Sequence, residues 1–215
     1  MLTIYGSDLS SPANKVRFVA NALGLHYEYK RVNLREGEQR KPEFLKLNPA
    51  GKVPVIDDDG FVLFESNAII RYLARKQKSA LYPSDVQARA VVEQWLDFGS
   101  LHVGAALVKV TYNRLFAARL NITPDEKSIQ EGLEFLNRFL PVVENQLSNN
   151  AYLAGKSLTL ADFNLLAILD PTELSGVDLT PYSHIVKWRQ NLRQQDFYTQ
   201  CYKEYGESLQ KPAGV

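Results

Sequence analysis

The chain has 215 residues, a formal net charge of +1 at pH 7 and 45% apolar residues. This balance excludes the strong field that nucleic acid or an anionic membrane surface requires, so neither is expected as a partner. The length suits one large core or two small ones. The single cysteine, Cys201, excludes a disulfide framework and a cysteine zinc site. With no leader-like start and no long apolar run, the sequence predicts a cytoplasmic protein.

The first part of the chain alternates strand and helix signals. Strands are expected at 2–5, 27–32, 53–56 and 61–64, and helices at 11–23, near Pro42, and from a Ser66 cap to about Gln77. The last two strands flank Asp57-Asp58-Asp59-Gly60, whose Asp-Gly ending is a strong turn signal. The order βαβα followed by ββα predicts an α+β, thioredoxin-like domain with a four-stranded mixed sheet.

The rest of the chain shows only helical periodicity, and it is expected to form an all-α helical bundle domain. Helices are expected at 85–118, 125–148, 160–170, 182–194 and 197–209. The predicted domains are therefore 1–78 and 86–215, joined by a linker at 79–85. Thr159 and Asp162 match a capping box at the start of an apolar helix, and their expected role is structural.

Two short segments of the first domain have the pattern of a ligand site. In Gly51-Lys52-Val53-Pro54, Pro54 is expected to follow a cis peptide bond that exposes the Val53 backbone to a peptide-like ligand. The alternative is an ordinary edge-strand proline. In Phe64-Glu65-Ser66, a strand ends and a helix begins, which places a hydroxyl and N–H groups where a carboxylate can bind. The alternative is a plain capped helix.

A third segment near the N-terminus contains Tyr5-Gly6-Ser7-Asp8-Leu9-Ser10-Ser11-Pro12, followed by Val16-Arg17. Together with the two segments above, it makes the chain resemble a cytosolic glutathione S-transferase of the serine-type branch over nearly its full length. The Tyr-Gly pair is phi-like and the Ser-Pro pair is theta- or delta-like, so the class stays undecided between theta and phi. The resemblance implies reduced glutathione as cosubstrate, a homodimer and no metal. It places the catalytic serine at Ser10, with Ser11 as the alternative.

The resemblance also implies the residues that hold glutathione. Lys52 would bind the glycine carboxylate, Val53 and Pro54 the peptide backbone, and Glu65 and Ser66 the γ-glutamyl group. Ser11 is a further expected contact, and Gln39 stands where the family usually has a histidine. Glutamine can still donate a hydrogen bond to the glycine carboxylate, but a charge is lost.

The chemistry expected of Ser10 follows from the acidity of a thiol. A thiol with a pKa of about 8.5 is only about 3% ionised at neutral pH. Lowering that pKa by about two units needs roughly 2.7 kcal/mol, and a hydrogen bond to a charged group supplies about 1.5–3 kcal/mol. One serine hydroxyl at a helix start therefore suffices as a donor to the sulfur. The alternative for Ser10 is an ordinary helix N-cap.

The electrophile pocket is expected between the segment 9–12 and the first long helix of the second domain. Apolar residues recur there at helical spacing, which is also typical of plain core. The candidate contacts are Leu9, Pro12, Tyr112 and Phe116, and the choice between Lys109 and Arg114 as a polar contact stays open. The histidines, His26, His102 and His184, lack the spacing of a metal site.

The predicted function is conjugation of glutathione to small hydrophobic electrophiles in detoxification or stress, with glutathione-dependent peroxidase activity as a side reaction of the same thiolate. The alternative is a binding or scaffold protein without catalysis. It is motivated by the similarity of residues 51–69 to the N-terminal region of the elongation factor gamma subunit. The Ser10-Ser11-Pro12 segment favours the enzyme.

Overall fold

The computed structural model describes residues 1–117 and 121–202, which form two compact units. The first unit contains residues 1–82 and 194–202, and the second contains 83–117 and 121–193. The first unit has a four-stranded mixed sheet and the second is helical, which confirms the predicted fold class. The exact domain limits drawn from the sequence, at 78 and 86, stay a prediction.

The sheet of the first unit contains four strands in the order β2-β1-β3-β4. They are β1 Leu2–Gly6, β2 Tyr27–Arg31, β3 Val55–Asp58 and β4 Phe61–Phe64. Strand β1 is parallel to β2 and antiparallel to β3, and β3 is antiparallel to β4. The register pairs Val55 with both Tyr5 and Phe64. The ends of β1 and β4 therefore meet the start of β3 at the same end of the strands. This end of the sheet is called the site edge below.

Strand β3 starts two residues later than the predicted 53–56, because Pro54 has no N–H to donate to the ladder. The predicted turn between β3 and β4 is confirmed. Asp59 and Gly60 both have positive φ, of 54° and 92°. The Asp57 side chain accepts a hydrogen bond from Gly60 N at 2.7 Å. An Asp-Gly pair suits this left-handed geometry, since glycine has no Cβ to clash.

Nine α-helices are described: α1 Ser11–Ala22, α2 Pro42–Leu45, α3 Ser66–Lys76, α4 Val86–Asp97, α5 Ala105–Thr111, α6 Glu126–Asn149, α7 Leu160–Leu169, α8 Ser183–Arg193 and α9 Asp196–Tyr202. In the predicted helix 85–118, two π-helical stretches, Phe98–Gly104 and Tyr112–Phe116, flank α5. Within the described ranges, no helix has both the length and the apolar character needed to cross a bilayer.

Helix α9 packs against α1 within the first unit. The Phe18 ring stacks on Tyr198 at 5.1 Å between centroids and meets Phe197 edge-on at 6.1 Å. Asn21 Nδ2 donates to Phe197 O at 3.0 Å. The sequence placed this segment in the second domain, because periodicity shows an apolar face but not its partner. Residues 203–209 of the predicted last helix lie outside the described part of the chain.

The predicted capping box at the start of α7 is confirmed. Asp162 is fully buried, and its Oδ2 accepts from the Thr159 N–H at 2.9 Å. Its Oδ1 accepts from Leu153 N at 2.9 Å and from Trp188 Nε1 at 3.2 Å. Burial raises the pKa of Asp162 to about 6, although these hydrogen bonds favour the carboxylate. One carboxylate therefore joins the preceding loop, α7 and α8.

The close approach of α5 and α6 depends on Gly132. A Cβ there would lie 2.8 Å from both Ala106 O and Val110 Cγ2. Alanine is the better helix former by about 1 kcal/mol, but overpacking costs about 1–3 kcal/mol or more. We therefore expect Gly132→Ala to lower the free energy of unfolding, measured by urea denaturation. Asn137→Ala on the exposed side of α6 is the control, and equal stability of the two variants would contradict the packing.

Candidate functional site

Ser10 lies between β1 and α1 and is the N-cap of α1. Its Oγ accepts a hydrogen bond from the Ala13 N–H at 3.3 Å, and its carbonyl accepts from Asn14 N at 2.9 Å. A hydroxyl that accepts in this way still has its own hydrogen to donate. The capping role and the predicted donor role of Ser10 are therefore compatible, and the N-cap does not exclude the catalytic interpretation.

The helix that follows Ser10 favours an anion at its start. Ser11 is the first helical residue, Pro12 has no N–H, and the first turn of α1 contains no acidic residue. The N-terminus of a helix carries the positive end of the helix dipole. A thiolate placed beside Ser10 would therefore be stabilised by α1 as well as by a hydroxyl.

Asp8 holds the turn that leads to Ser10, and sequence analysis missed this role. Its carboxylate pairs with Arg31 Nε at 2.9 Å and Arg17 Nη1 at 3.5 Å. Its carbonyl accepts from Asn14 Nδ2 at 2.9 Å. Arg17 is buried and its guanidinium lies 4.2 Å from the Tyr29 ring centroid. Polar residues within an otherwise apolar helix were the available signal, since buried polar groups need partners.

The loop that enters β3 is fixed by the buried Asn48. Its Nδ2 donates to Lys52 O at 2.7 Å, and its Oδ1 accepts from Ala50 N at 3.0 Å. The predicted cis peptide bond between Val53 and Pro54 is present. No backbone hydrogen bond within the described ranges uses Val53 N–H or C=O. Val53 therefore presents a donor and an acceptor with which an extended peptide can pair.

The turn between β4 and α3 differs from the prediction in one detail. Glu65, with φ of 70°, is the N-cap of α3, and Ser66 is its first helical residue rather than its cap. The Glu65 side chain makes no capping hydrogen bond to the start of this helix, and the N–H groups of a first helical turn have no acceptor within the helix itself. Positive φ in a glutamate costs of order 1–3 kcal/mol, and such residues cluster at binding sites. The turn therefore has the form of a carboxylate site with an acid beside it.

Gln39 lies in a short 3₁₀ turn next to the loop at Gly51. A Cβ on Gly51 would lie 3.1 Å from Gln39 O, and Gly51 has a φ of +60°. The Gln39 Nε2 donates to Leu34 O at 3.4 Å, and its Oε1 is buried with no partner among the described residues. One of the two amide hydrogens is used in this bond, so one remains to donate to a carboxylate. Lys52, exposed on the same loop, carries the charge that a carboxylate requires.

The site edge brings three of the predicted elements together. Val55 pairs with Tyr5 and with Phe64, so the next positions along these chains carry Pro54, the turn to Ser10, and Glu65. The strand that leads to Ser10, the Val53 backbone and the start of α3 are therefore all reached from the same end of the sheet in the first unit. An unpaired backbone and a helix N-terminus suit an extended peptide that carries a carboxylate.

The predicted electrophile contacts divide between the units. Leu9 is half-buried and Pro12 exposed, next to Ser10, whereas Tyr112 and Phe116 lie in the second unit. The apolar residues at helical spacing around Tyr112 are not plain core, because three large side chains among them are exposed: Leu101 at 67%, Val108 at 61% and Tyr112 at 42%.

Lys109 and Arg114, the two candidate polar contacts, both bind within the second unit. Lys109 Nζ pairs with Glu131 Oε2 at 2.9 Å, and Arg114 Nη1 donates to Ser175 O at 2.8 Å. Neither interaction distinguishes one from the other as an electrophile contact.

Comparison with known proteins connects this geometry to a family. Residues 1–75 match the family model "Glutathione S-transferase, N-terminal domain", and residues 105–196 match "Glutathione S-transferase, C-terminal domain". Glutathione S-transferase F10 of Arabidopsis thaliana is 39% identical over 195 residues, which cover 89% of this chain and 88% of that protein.

Solved structures agree in fold over nearly the whole chain. Glutathione transferase F7 from Populus trichocarpa has a TM-score of 0.87 at 27% identity, covering 95% of this chain and 99% of that one. Glutathione S-transferase I from mais, in complex with an atrazine glutathione conjugate, has a TM-score of 0.86 at 30% identity and covers 99% of each chain. The chain therefore belongs to the glutathione S-transferase family. Its relatives fit the phi-like side of the serine-type branch, which sequence analysis left undecided between theta and phi.

Proposed function

We propose that this protein binds reduced glutathione, holds it as the thiolate through the Ser10 hydroxyl, and adds the sulfur to a small hydrophobic electrophile. The main support is the position of Ser10 as N-cap of α1, with its oxygen accepting from Ala13 and its own hydrogen available to donate. The nucleophile is the cosubstrate's sulfur, and the serine acts as a hydrogen-bond donor.

Each part of the tripeptide has a proposed partner at the site edge. The cysteinyl backbone pairs with Val53, whose N–H and C=O are open. The γ-glutamyl carboxylate binds at the start of α3 with Ser66, and its ammonium faces Glu65. Lys52 binds the glycine carboxylate. Gln39 is a weaker candidate for that carboxylate, because its amide carries no charge and one of its two hydrogens is directed to Leu34 O.

The proposed reaction forms one carbon–sulfur bond. The thiol loses its proton to solvent on binding, and the thiolate attacks an electrophilic carbon, with departure of a leaving group or protonation of the adduct. The product is a thioether. The mais relative was solved with an atrazine glutathione conjugate, which supports a thioether product for this family member too. Leu9, Pro12, Tyr112 and Phe116 stay proposed contacts of the electrophile.

Three further expectations accompany the proposal. A homodimer and a cytoplasmic location are typical of the family. Peroxidase activity would use the same thiolate on a hydroperoxide and would consume a second glutathione to form the disulfide. These expectations follow from the chemistry and the family, and the conjugation reaction is the primary activity proposed.

The test is a conjugation assay with glutathione and a chlorodinitrobenzene, an activated aryl halide whose thioether product is measured by absorbance. We expect turnover well above the uncatalysed rate at the same pH. Binding of glutathione without turnover, across a panel of aryl halides, epoxides and isothiocyanates, would favour the scaffold alternative. Absence of both binding and turnover would contradict the proposed site as a whole.

A further inference from the structure

A buried lysine lies directly behind the γ-glutamyl end of the proposed site. Lys15, in the second turn of α1, is only 5% exposed. Its Nζ donates to Asn67 Oδ1 at 2.6 Å, which is a short hydrogen bond across 52 positions of sequence. Asn67 is the second residue of α3 and immediately follows Ser66. The contact therefore ties the helix that Ser10 caps to the helix that the Glu65–Ser66 turn begins.

Two charged groups act on this ammonium in opposite directions. Arg71, one turn further along α3, disfavours the charged form, and Glu65 favours it. Burial is the largest effect, and together they lower the pKa of Lys15 to about 7. A buried ammonium is costly unless it is paired. Its presence beside Glu65, which has a φ of 70° and whose side chain makes no capping bond to α3, points to a role in the turn rather than in core packing.

We propose that Lys15 is a positioning residue for the γ-glutamyl half of the glutathione site. Its ammonium fixes Asn67, and through Asn67 it holds the first turn of α3 and the Glu65–Ser66 turn in the conformation that binds the ligand's carboxylate and ammonium. This inference rests on the proposed function, because it assigns the residue to the binding of a γ-glutamyl peptide. Lys15 itself does not touch the reacting sulfur.

A positioning role for Lys15 predicts that its loss changes the KM for glutathione but hardly changes kcat. Loss of the ammonium loosens the γ-glutamyl end but leaves Ser10 in place as N-cap of α1. The KM for glutathione should therefore rise about tenfold or more, while kcat at saturating glutathione changes by less than about threefold, the expected order for a hydrogen bond to a charged group. A role in folding alone would lower the amount of folded protein, and the folded fraction would keep the wild-type KM.

The test uses S-methylglutathione, which retains the γ-glutamyl group but has no thiol to ionise. Its Kd is measured by calorimetry for wild type, Lys15→Met, Lys15→Arg and Asn67→Ala, each checked for folding by circular dichroism. We expect about tenfold weaker binding for Lys15→Met and Asn67→Ala, and binding within about threefold of wild type for Lys15→Arg. The partly exposed Asn67 provides the variant that folds if methionine is not tolerated at position 15.

The pH dependence separates the charge from packing. The charged form of Lys15 is the one that binds best, so affinity is full below its pKa in the free protein and falls as the pH rises through about 7. Between pH 6 and pH 8 the wild-type Kd should rise up to about tenfold relative to Lys15→Arg, whose guanidinium stays charged. Titration of the ligand's own amine is common to both proteins and cancels in this ratio.

Four outcomes would overturn the inference. If wild type binds S-methylglutathione and the Kd values of Lys15→Met and Asn67→Ala are both within about threefold of the wild-type Kd, Lys15 has no positioning role, and the proposed glutathione site is unaffected. If Lys15→Arg weakens binding as much as Lys15→Met, the charge at position 15 does not contribute to binding. The same conclusion follows if the Kd has the same pH dependence in wild type and Lys15→Arg. No binding of S-methylglutathione to wild type would contradict the proposed glutathione site itself, and this inference with it.

Discussion

Replacement of Ser10 by alanine is expected to lower kcat/KM for conjugation by about 10- to 100-fold while glutathione still binds. The hydroxyl supplies a hydrogen bond to a charged sulfur, worth about 1.5–3 kcal/mol, and 1.36 kcal/mol corresponds to one pKa unit or a factor of ten. The variant should therefore raise the apparent pKa of the bound thiol by one to two units. The measurement is the pH dependence of kcat/KM, together with thiolate absorbance in the ultraviolet.

The N-cap role of Ser10 requires a control, because losing the cap costs about 1 kcal/mol of stability. Ser10→Thr retains both the cap and a hydroxyl, so it should be as stable as wild type and keep most of the activity. Ser11→Ala tests the alternative catalytic serine and should change kcat/KM by less than about threefold. Full activity in Ser10→Ala with loss in Ser11→Ala would reverse the assignment.

Removal of the Asp162 carboxylate is expected to destabilise the protein by about 4 kcal/mol. Alanine would leave buried donors on Leu153, Thr159 and Trp188 without their acceptor, and each buried unsatisfied group costs about 1–3 kcal/mol. Such a loss is a large fraction of the stability of a domain. We expect Asp162→Ala to give little folded protein, and thermal and urea unfolding of the remainder should show the decrease.

Asp178 provides a matched control for this substitution. Its carboxylate also binds a threonine, through Thr180 N at 2.8 Å and Thr180 Oγ1 at 2.9 Å, but on the exposed surface. Asp178→Ala should therefore unfold close to wild type, since water can replace these contacts. A loss of less than about 1.5 kcal/mol in Asp162→Ala would contradict the structural role of the capping box.

Local chemistry accounts for the features that the sequence predicted correctly. The Asp59-Gly60 turn needs positive φ, the Thr159 and Asp162 pair satisfies nearby N–H groups, and a Val-Pro pair marks the loop before β3. In each case the residues that carry the signal lie within a few positions of one another. The fold class followed because the order of such local elements permits few sheet arrangements.

The features that sequence reasoning missed depend on distant contacts. Lys15 meets Asn67, and α9 packs on Phe18, across long separations that periodicity cannot pair. The N-cap of α3 was placed at Ser66 because serine is a common cap, whereas Glu65 takes that position with a strained backbone. Such exceptions to local preference are expected where a site imposes its own geometry.

If this chain binds glutathione as a thiolate, binding at neutral pH must release the thiol proton. Titration of reduced glutathione into the protein at pH 7, by calorimetry in buffers of different ionisation enthalpy, measures both the affinity and the number of protons released. The mechanism predicts measurable binding with release approaching one proton per site in wild type, and much less in Ser10→Ala. Binding without proton release would contradict thiolate formation, and no binding at millimolar glutathione would contradict the site.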